Sequence, residues 1–233
     1  MDRNLIKYYI KKKFLWLFRV RDCFNYIKGD YFRDANPKSF GAFGKRTVIQ
    51  LPCSISDPGL IYLDDYVGIR CNFSFDGYKG RLYVKKFTRI ARNCLIVTAN
   101  HSKIVGVPQY FANTMHLADR CTDIEIGEDV WIGANCTLLP GSKIGRGCIV
   151  GACSLINKEI PPYAVVVGNP GKIIGSTFTI EEILKHESII YKSEERFSRT
   201  FLESLFDQHY SGKRSFGKDI IPNEQLENIQ KMI

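Results

Sequence analysis

The chain has 233 residues, 33 Lys and Arg against 24 Asp and Glu for a formal net charge of +9, and 45% hydrophobic residues. At that length one domain with appendages is expected, and the composition excludes an intrinsically disordered or collagen-like chain. No apolar run approaches the ~18 residues of a membrane-spanning helix, and Lys11, Lys12 and Lys13 interrupt the stretch that a secretory signal would keep apolar, so a cytoplasmic protein is expected.

Residues 1 to 21 hold seven basic side chains against Asp2, interleaved with Ile6, Ile10, Phe14 and Leu17 at helical spacing. Residues 1–44 are therefore expected to form a basic amphipathic helical arm. It either lies peripherally on the inner face of an anionic membrane or packs its apolar face on the rest of the chain.

From about residue 45 the period changes to six. Ile49, Ile55, Ile61, Val67 and Phe73 form a first run, Val84, Ile90 and Ile96 a second, and Ile126, Ile132, Leu138, Ile144, Val150 and Ile156 a third, unbroken run. Glycine follows four members of the third run, at Gly127, Gly133, Gly145 and Gly151, and a small or short side chain follows four residues after its first five members, at Val130, Cys136, Ser142, Cys148 and Ser154. A period of six is neither helical nor that of a simple strand. It fits short strands joined by turns, three strands to a coil of 18 residues, with one aliphatic side chain per strand on the axis of a solenoid. Cys94, Cys136 and Cys148 fall on its small-residue position and need no chemistry. The eight cysteines contain no C-x-x-C pair, so neither a zinc knuckle nor a redox pair is indicated, and free thiols are expected.

Between Ile96 and Ile126 the repeat fails, since Ser102 and Pro108 stand where aliphatic residues belong. Residues 102–123 therefore read as a loop excursion, long enough to be functional. His101 closes the second run at the root of that loop, in T-A-N-H-S, and His116 lies within it; His186 and His209 fall outside the repeats. After the repeats, Thr179 and Glu182 match a capping box, with Ile183, Leu184, Ile190 and Tyr191 at helical spacing beyond them. Residues 177–233 are expected to form a helical extension that closes the open end of the solenoid or packs on a neighbour.

The stretch D-V-W-I-G-A-N-C-T-L-L-P-G-S-K-I-G from Asp129 to Gly145, followed by I-P-P-Y-A-V-V-V-G-N-P-G-K from Ile160 to Lys172, resembles the hexapeptide-repeat acyltransferases. That family includes galactoside and maltose O-acetyltransferases, xenobiotic acetyltransferases and O-acetyltransferases of capsule and O-antigen pathways. The resemblance covers residues 45–176 and implies an all-β solenoid, a left-handed parallel β-helix, with helical extensions at both ends. It also implies a homotrimer with active sites between subunits, where the excursion covers the acceptor site of a neighbour.

By the same resemblance the donor is acetyl-coenzyme A and no resident metal is expected. His101 is the general base, while Trp131, Ala134 and Ala152 line the donor and Lys158 and Lys172 meet its phosphates. Asn72, Asp76, Tyr110 and His116 are candidates to contact a saccharide acceptor. Imidazole suits the role because its pKa lies near neutrality. The expected reaction is direct acetyl transfer to a sugar hydroxyl, with a surface-polysaccharide precursor as acceptor. An N-acyltransferase of an amino sugar and a non-catalytic β-helix scaffold are the alternatives. A three-histidine zinc enzyme is disfavoured because the repeat region holds only His101 and His116, and nucleic-acid binding because no recognition motif accompanies the charge.

Overall fold

In a computed structural model of the chain, the described residues are Val20, 36–116, 119–218 and 220–232. The expected helical arm of residues 1–21 lies outside them, Val20 apart. Three parallel faces wind around one apolar axis. The first is built from Ala42–Phe43, Ile61–Leu63, Leu82–Val84, Ile124–Ile126, Lys143–Ile144 and Glu159–Ile160. The second takes Val48–Ile49, Gly68–Ile69, Arg89–Ile90, Trp131–Ile132, Ile149–Val150 and Ala164–Val167, and the third Cys53–Ile55, Phe73–Asp76, Leu95–Val97, Thr137–Leu138 and Leu155–Ile156. Each strand hydrogen-bonds to its counterpart one coil away, so no coil buries its apolar face without its neighbours.

The axis is filled as the period of six requires. Val84, Ile90, Ile96, Ile126, Ile132, Leu138, Val150 and Ile156 are all buried, and each side chain taken fully from water contributes ~1.5 to 3 kcal/mol. The small residues at the corners tie coils together. Thr88 Oγ1 donates to the Gly127 carbonyl at 2.7 Å and Ser142 Oγ to the Ile156 carbonyl at 2.9 Å. The thiols of Cys94, Cys136 and Cys148 approach the carbonyls of Gly133, Gly151 and Pro161 at 3.2, 3.2 and 3.1 Å. These three cysteines are buried free thiols, and burial pushes the Cys148 thiol up to about 12.

The first run of the repeat needs correction. The residues that pair with Val84, Ile90 and Ile96 in the preceding coil are Leu63, Ile69 and Phe75, and one coil earlier Ile49 and Ile55 pair with Ile69 and Phe75. Ile61, Val67 and Phe73 lie two residues before the axis positions, at the corners that later coils give to small side chains. They are buried too, so the aliphatic spacing persists while its structural role changes. The first paired strand, Ala42–Phe43, also starts just before the expected boundary at residue 45.

The corners turn through left-handed backbone, at φ 59, 61 and 59 for Asn72, Asn93 and Asn135, the conformation that asparagine tolerates best after glycine. The excursion leaves after the third-face strand Leu95–Val97 and is closed at its base by Ala99–Asn100 running antiparallel to Arg120–Cys121. It carries one short helix, α1 (Gln109–Thr114).

Beyond the last coil, Lys172–Ser176 doubles back antiparallel on Ala164–Val167. Helix α2 (Ile180–Ile190) follows behind the Thr179 and Glu182 capping box, then α3 (Arg199–His209) and α4 (Asn223–Gln230). The extension does more than close the end, because it runs back along one corner. Its Glu195 meets Lys86 at 3.3 Å, and the backbone carbonyl of Met232 accepts from the Tyr66 hydroxyl at 2.9 Å. Its anchor is Glu187, which is fully buried and accepts from Arg146 Nη1 at 3.2 Å, the Tyr163 hydroxyl at 3.0 Å and the Phe197 N–H at 2.5 Å. Arg146 lies between the rings of Tyr191 and Phe197, 4.1 and 4.8 Å from their centroids. Among the described residues no helix is long and apolar enough to cross a membrane.

Candidate active site

The antiparallel stem decides which groups meet at the root of the excursion. Ala99 pairs with Cys121 and Asn100 with Arg120, so the next residues outward, His101 and Asp119, face each other. His101 Nδ1 lies 2.8 Å from Asp119 Oδ1, and His116 Nδ1 lies 2.8 Å from Asp119 Oδ2. The Asp119 side chain is only 6% exposed, whereas those of His101 and His116 are 42% and 46% exposed. The hydrogen bonds from His116 and then His101 hold the Asp119 carboxyl below the usual carboxylate range. An ionised carboxylate only accepts, so each Nδ1 is a donor and the other ring nitrogen, Nε2, points away from the carboxylate. Two bases are thereby oriented by one buried anion.

Tyr78 fixes the second ring, stacking on His116 at a centroid distance of 4.5 Å and an interplanar angle of 5°. The two imidazoles are 6.1 Å apart. Ligand atoms of His101, His116 and Asp119 lie within 4.8 Å of one another, the one such group among the described residues. Both Asp119 oxygens are already engaged by imidazole nitrogens, so a cation would have to displace those bonds. The arrangement is chemically suited to taking a proton from a hydroxyl or amine at an exposed Nε2.

The sequence singled out His101 and His116, and the structure brings them together. It missed Asp119 and Tyr78: no motif marks either, and Asp119 becomes legible only once the stem register is known. The other candidates are dispersed. Asn72 sits at a corner where its Nδ2 donates to Asn93 Oδ1 at 3.0 Å. Asp76 ends the third-face strand Phe73–Asp76, two residues before Tyr78. Tyr110 is 76% exposed on α1, with its ring against Phe111.

Trp131 is half exposed on the second face and, with Ala134, lines a surface cavity of about 370 Å³ whose remaining walls are Arg70, Arg89, Ala91 and Arg92. The Ala134 carbonyl accepts from the Cys153 N–H at 2.9 Å, joining two coils, and Ala152 is exposed at the same corner of the later coil. Lys158 and Lys172 are both exposed, the first in a turn and the second opening the strand Lys172–Ser176.

Comparisons with known proteins bear on the repeats and the fold. Residues 123–158 match the family model described as bacterial transferase hexapeptide (six repeats). A probable macrolide acetyltransferase of Lysinibacillus sphaericus is 35% identical over 167 residues, covering 62% of this chain and 91% of that protein. A chloramphenicol acetyltransferase of Klebsiella aerogenes is 44% identical over 73 residues, 31% of this chain. The chain spans only 35% of the length of that relative.

Among solved structures, a hexapeptide-repeat containing acetyltransferase from Vibrio cholerae, complexed with acetyl coenzyme A, superposes with a TM-score of 0.54 at 26% identity, over 61% of this chain and 74% of that one. A maltose O-acetyltransferase from Clostridium difficile gives 0.54 at 25% identity, over 61% and 72%.

Proposed function

The chain belongs to the bacterial hexapeptide-repeat transferase family, and from that membership we propose that it is an acetyl-coenzyme A-dependent O-acetyltransferase that acts on a sugar hydroxyl by direct transfer. The observation that carries the reading is the Asp119 clamp, which engages His101 through Nδ1 and leaves Nε2 as the ring nitrogen turned away from the carboxylate at the root of the excursion. The likeness to the solved structures supports left-handed coiling for the solenoid.

Acetyl-coenzyme A supplies the activated acyl group. His101 Nε2 accepts the hydroxyl proton while the acceptor oxygen forms its bond to the acyl carbon. The carbon–sulfur bond then breaks and the proton passes from the imidazolium to the departing thiolate. The buried negative charge of Asp119 stabilises that imidazolium and forbids the wrong tautomer. Trp131, Ala134 and Ala152 lie along the donor, and the exposed Lys158 and Lys172 meet its phosphates as mobile point charges. No cysteine is needed as a nucleophile, and Cys94, Cys136 and Cys148 are inaccessible.

The excursion exposes Val105, Tyr110, Phe111 and Met115. So much apolar surface on one loop is unusual for a monomer and supports a homotrimer in which the loop covers a neighbour's acceptor site. Tyr110, Asn72, Asp76 and His116 remain the acceptor contacts of this reading. A second acceptor class, the hydroxyl of an antibiotic, is favoured by the chloramphenicol and macrolide acetyltransferases among the relatives.

The decisive experiment is acetyl-coenzyme A turnover against a panel of sugars, amino sugars, glycans, chloramphenicol and macrolides, run with the native chain and with His101→Ala. A loss of ~10² to 10⁴ in turnover with donor binding retained is expected; unchanged turnover in His101→Ala would remove the assignment. The basic arm further supports a lipid-linked polysaccharide precursor as acceptor, and equal liposome flotation of the intact chain and a chain lacking residues 1–21 would argue against it.

A further inference from the structure

The cavity beside Trp131 has more positive charge than the reaction needs. Arg70, Arg89 and Arg92 come from two successive coils and line one space of about 370 Å³. The register explains how they converge. Arg89 pairs with Gly68 on one side and Trp131 on the other, which places Arg70 next to Ala91 and Arg92 next to Ala134 one coil on. Among the described residues, none of the three arginines forms an ion pair, a hydrogen bond from its side chain or a cation–π contact, although ten ion pairs are present elsewhere. Three guanidinium groups without a carboxylate among them repel one another, and such a cluster is stabilised by an anion from outside.

Gly68 is the second, independent observation. A Cβ at this position would meet Arg89 Cδ, Nε and Cζ at 2.8, 2.8 and 2.9 Å, so the Arg89 side chain lies flat across the bare glycine, along the sheet and toward the coil that carries Arg70. The missing side chain is what leaves room for this guanidinium to lie down on the face. A planar fork of donors placed in this way matches the oxygens of a phosphate group bidentately, as a lysine does not.

We propose that Arg70, Arg89 and Arg92 form a phosphate-binding subsite, walled by Trp131, that takes the phosphate or diphosphate group of a phosphorylated acceptor. The proposal rests on the acyltransferase reading and names its substrate class: an acceptor sugar carried on a phosphate ester or diphosphate. The donor's own phosphates have Lys158 and Lys172, which lie on later coils than any of the three arginines, so the arginine site is left for the acceptor.

Isothermal titration calorimetry with inorganic pyrophosphate and, separately, with acetyl-coenzyme A tests this on the full chain, the triple variant Arg70→Gln/Arg89→Gln/Arg92→Gln, and Gly68→Ala. Pyrophosphate is expected to bind the native chain with an affinity that falls steeply with salt, to lose at least about a hundredfold in the triple variant, since each charge-assisted contact is worth on the order of tenfold, and to lose an intermediate factor in Gly68→Ala, which keeps every charge but displaces Arg89. Acetyl-coenzyme A affinity is expected to stay within about twofold in all variants. The arginines are exposed and unpaired, so the triple variant should fold; if it does not, Arg92→Gln alone gives the same readout at about tenfold.

Absence of pyrophosphate binding, or binding that the variants leave unchanged, overturns the proposal. A parallel loss of acetyl-coenzyme A affinity assigns the site to the donor's phosphates and overturns the acceptor assignment. Because acetyl-coenzyme A binding is read in its own titration, failure of this site leaves the acyltransferase reading standing, and failure of donor binding is seen separately.

Discussion

Replacing Asp119 tests the whole arrangement at the root of the excursion. Asp119→Ala removes both 2.8 Å bonds at once, so His101 and His116 lose the group that selects the Nδ1–H tautomer and fixes each ring. Neutral imidazole in water prefers the other tautomer, with the proton on the nitrogen that should act as base, and a free ring also samples rotamers that point away from the acceptor. Loss of a positioned general base costs ~10² to 10⁴ in turnover, so Asp119→Ala should fall near His101→Ala. Asp119→Asn should lose less, roughly 10- to 100-fold: its one carbonyl oxygen can serve His101 while its amide turns to His116, and what disappears is the negative charge opposite the forming imidazolium.

The assay is steady-state kinetics with acetyl-coenzyme A across pH. The expected pattern is a fall in kcat with an unchanged KM for the donor, because the clamp touches nothing on the donor side. The folded-state pKa of Asp119 is depressed, so the stabilisation it gives is complete above its unfolded value and is lost only as pH falls through the lowered one, below about pH 4. An inactivation measured at pH 5 to 6 would therefore belong to another group than Asp119. A folded Asp119→Ala with turnover within threefold of the native chain would refute the clamp as the orienting element.

The extension and the solenoid make further expectations. Glu187→Ala strands Arg146, the Tyr163 hydroxyl and the Phe197 N–H, so a loss of ~3 to 5 kcal/mol and a fall in Tm on the order of 10 °C are expected by calorimetry; a shift below 2 °C would mean that the extension is not anchored there. Leu138→Ala opens a cavity on the axis where neighbouring coils cannot collapse, and should cost ~2 to 5 kcal/mol in denaturant unfolding. With iodoacetamide at pH 8, mass spectrometry should find Cys153, which is exposed, alkylated in the folded protein, and Cys148 unmodified because burial holds its thiol at about 12; labelling of Cys148 at the rate of Cys153 would show that the coils open locally.

What the sequence discloses and what it hides both follow from how a solenoid is wound. The period of six is legible because each strand must place one aliphatic side chain on the axis, and His101 is legible because the period stops there. The contents of the site are not, because they depend on the register between coils, and coil length varies. Ile49 to Ile69 is 20 residues, Leu63 to Val84 is 21, Val84 to Ile126 is 42, Ile126 to Ile144 is 18 and Ile144 to Ile160 is 16.

Counting in eighteens from one coil to another therefore drifts, and the drift is masked wherever a corner accepts a large apolar residue, as at Ile61, Val67 and Phe73. Asn72 and Asp76 are candidates by resemblance alone, because strict counting back from His101 falls one residue away, on Cys71. The side-chain amide of Asn72 is engaged by Asn93 in the next coil, an asparagine in the same left-handed corner, and that ladder follows from backbone conformation alone. Asp119 and the three arginines show the converse. Neither group lies in a motif, and each is assembled by pairing: one by an antiparallel stem that sets residue 119 against residue 101, the other by parallel coils that set Gly68, Arg89 and Trp131 in one row. Insertions between coils change that register without disturbing the axis, so the solenoid can hold its donor side constant while the residues around the acceptor are exchanged.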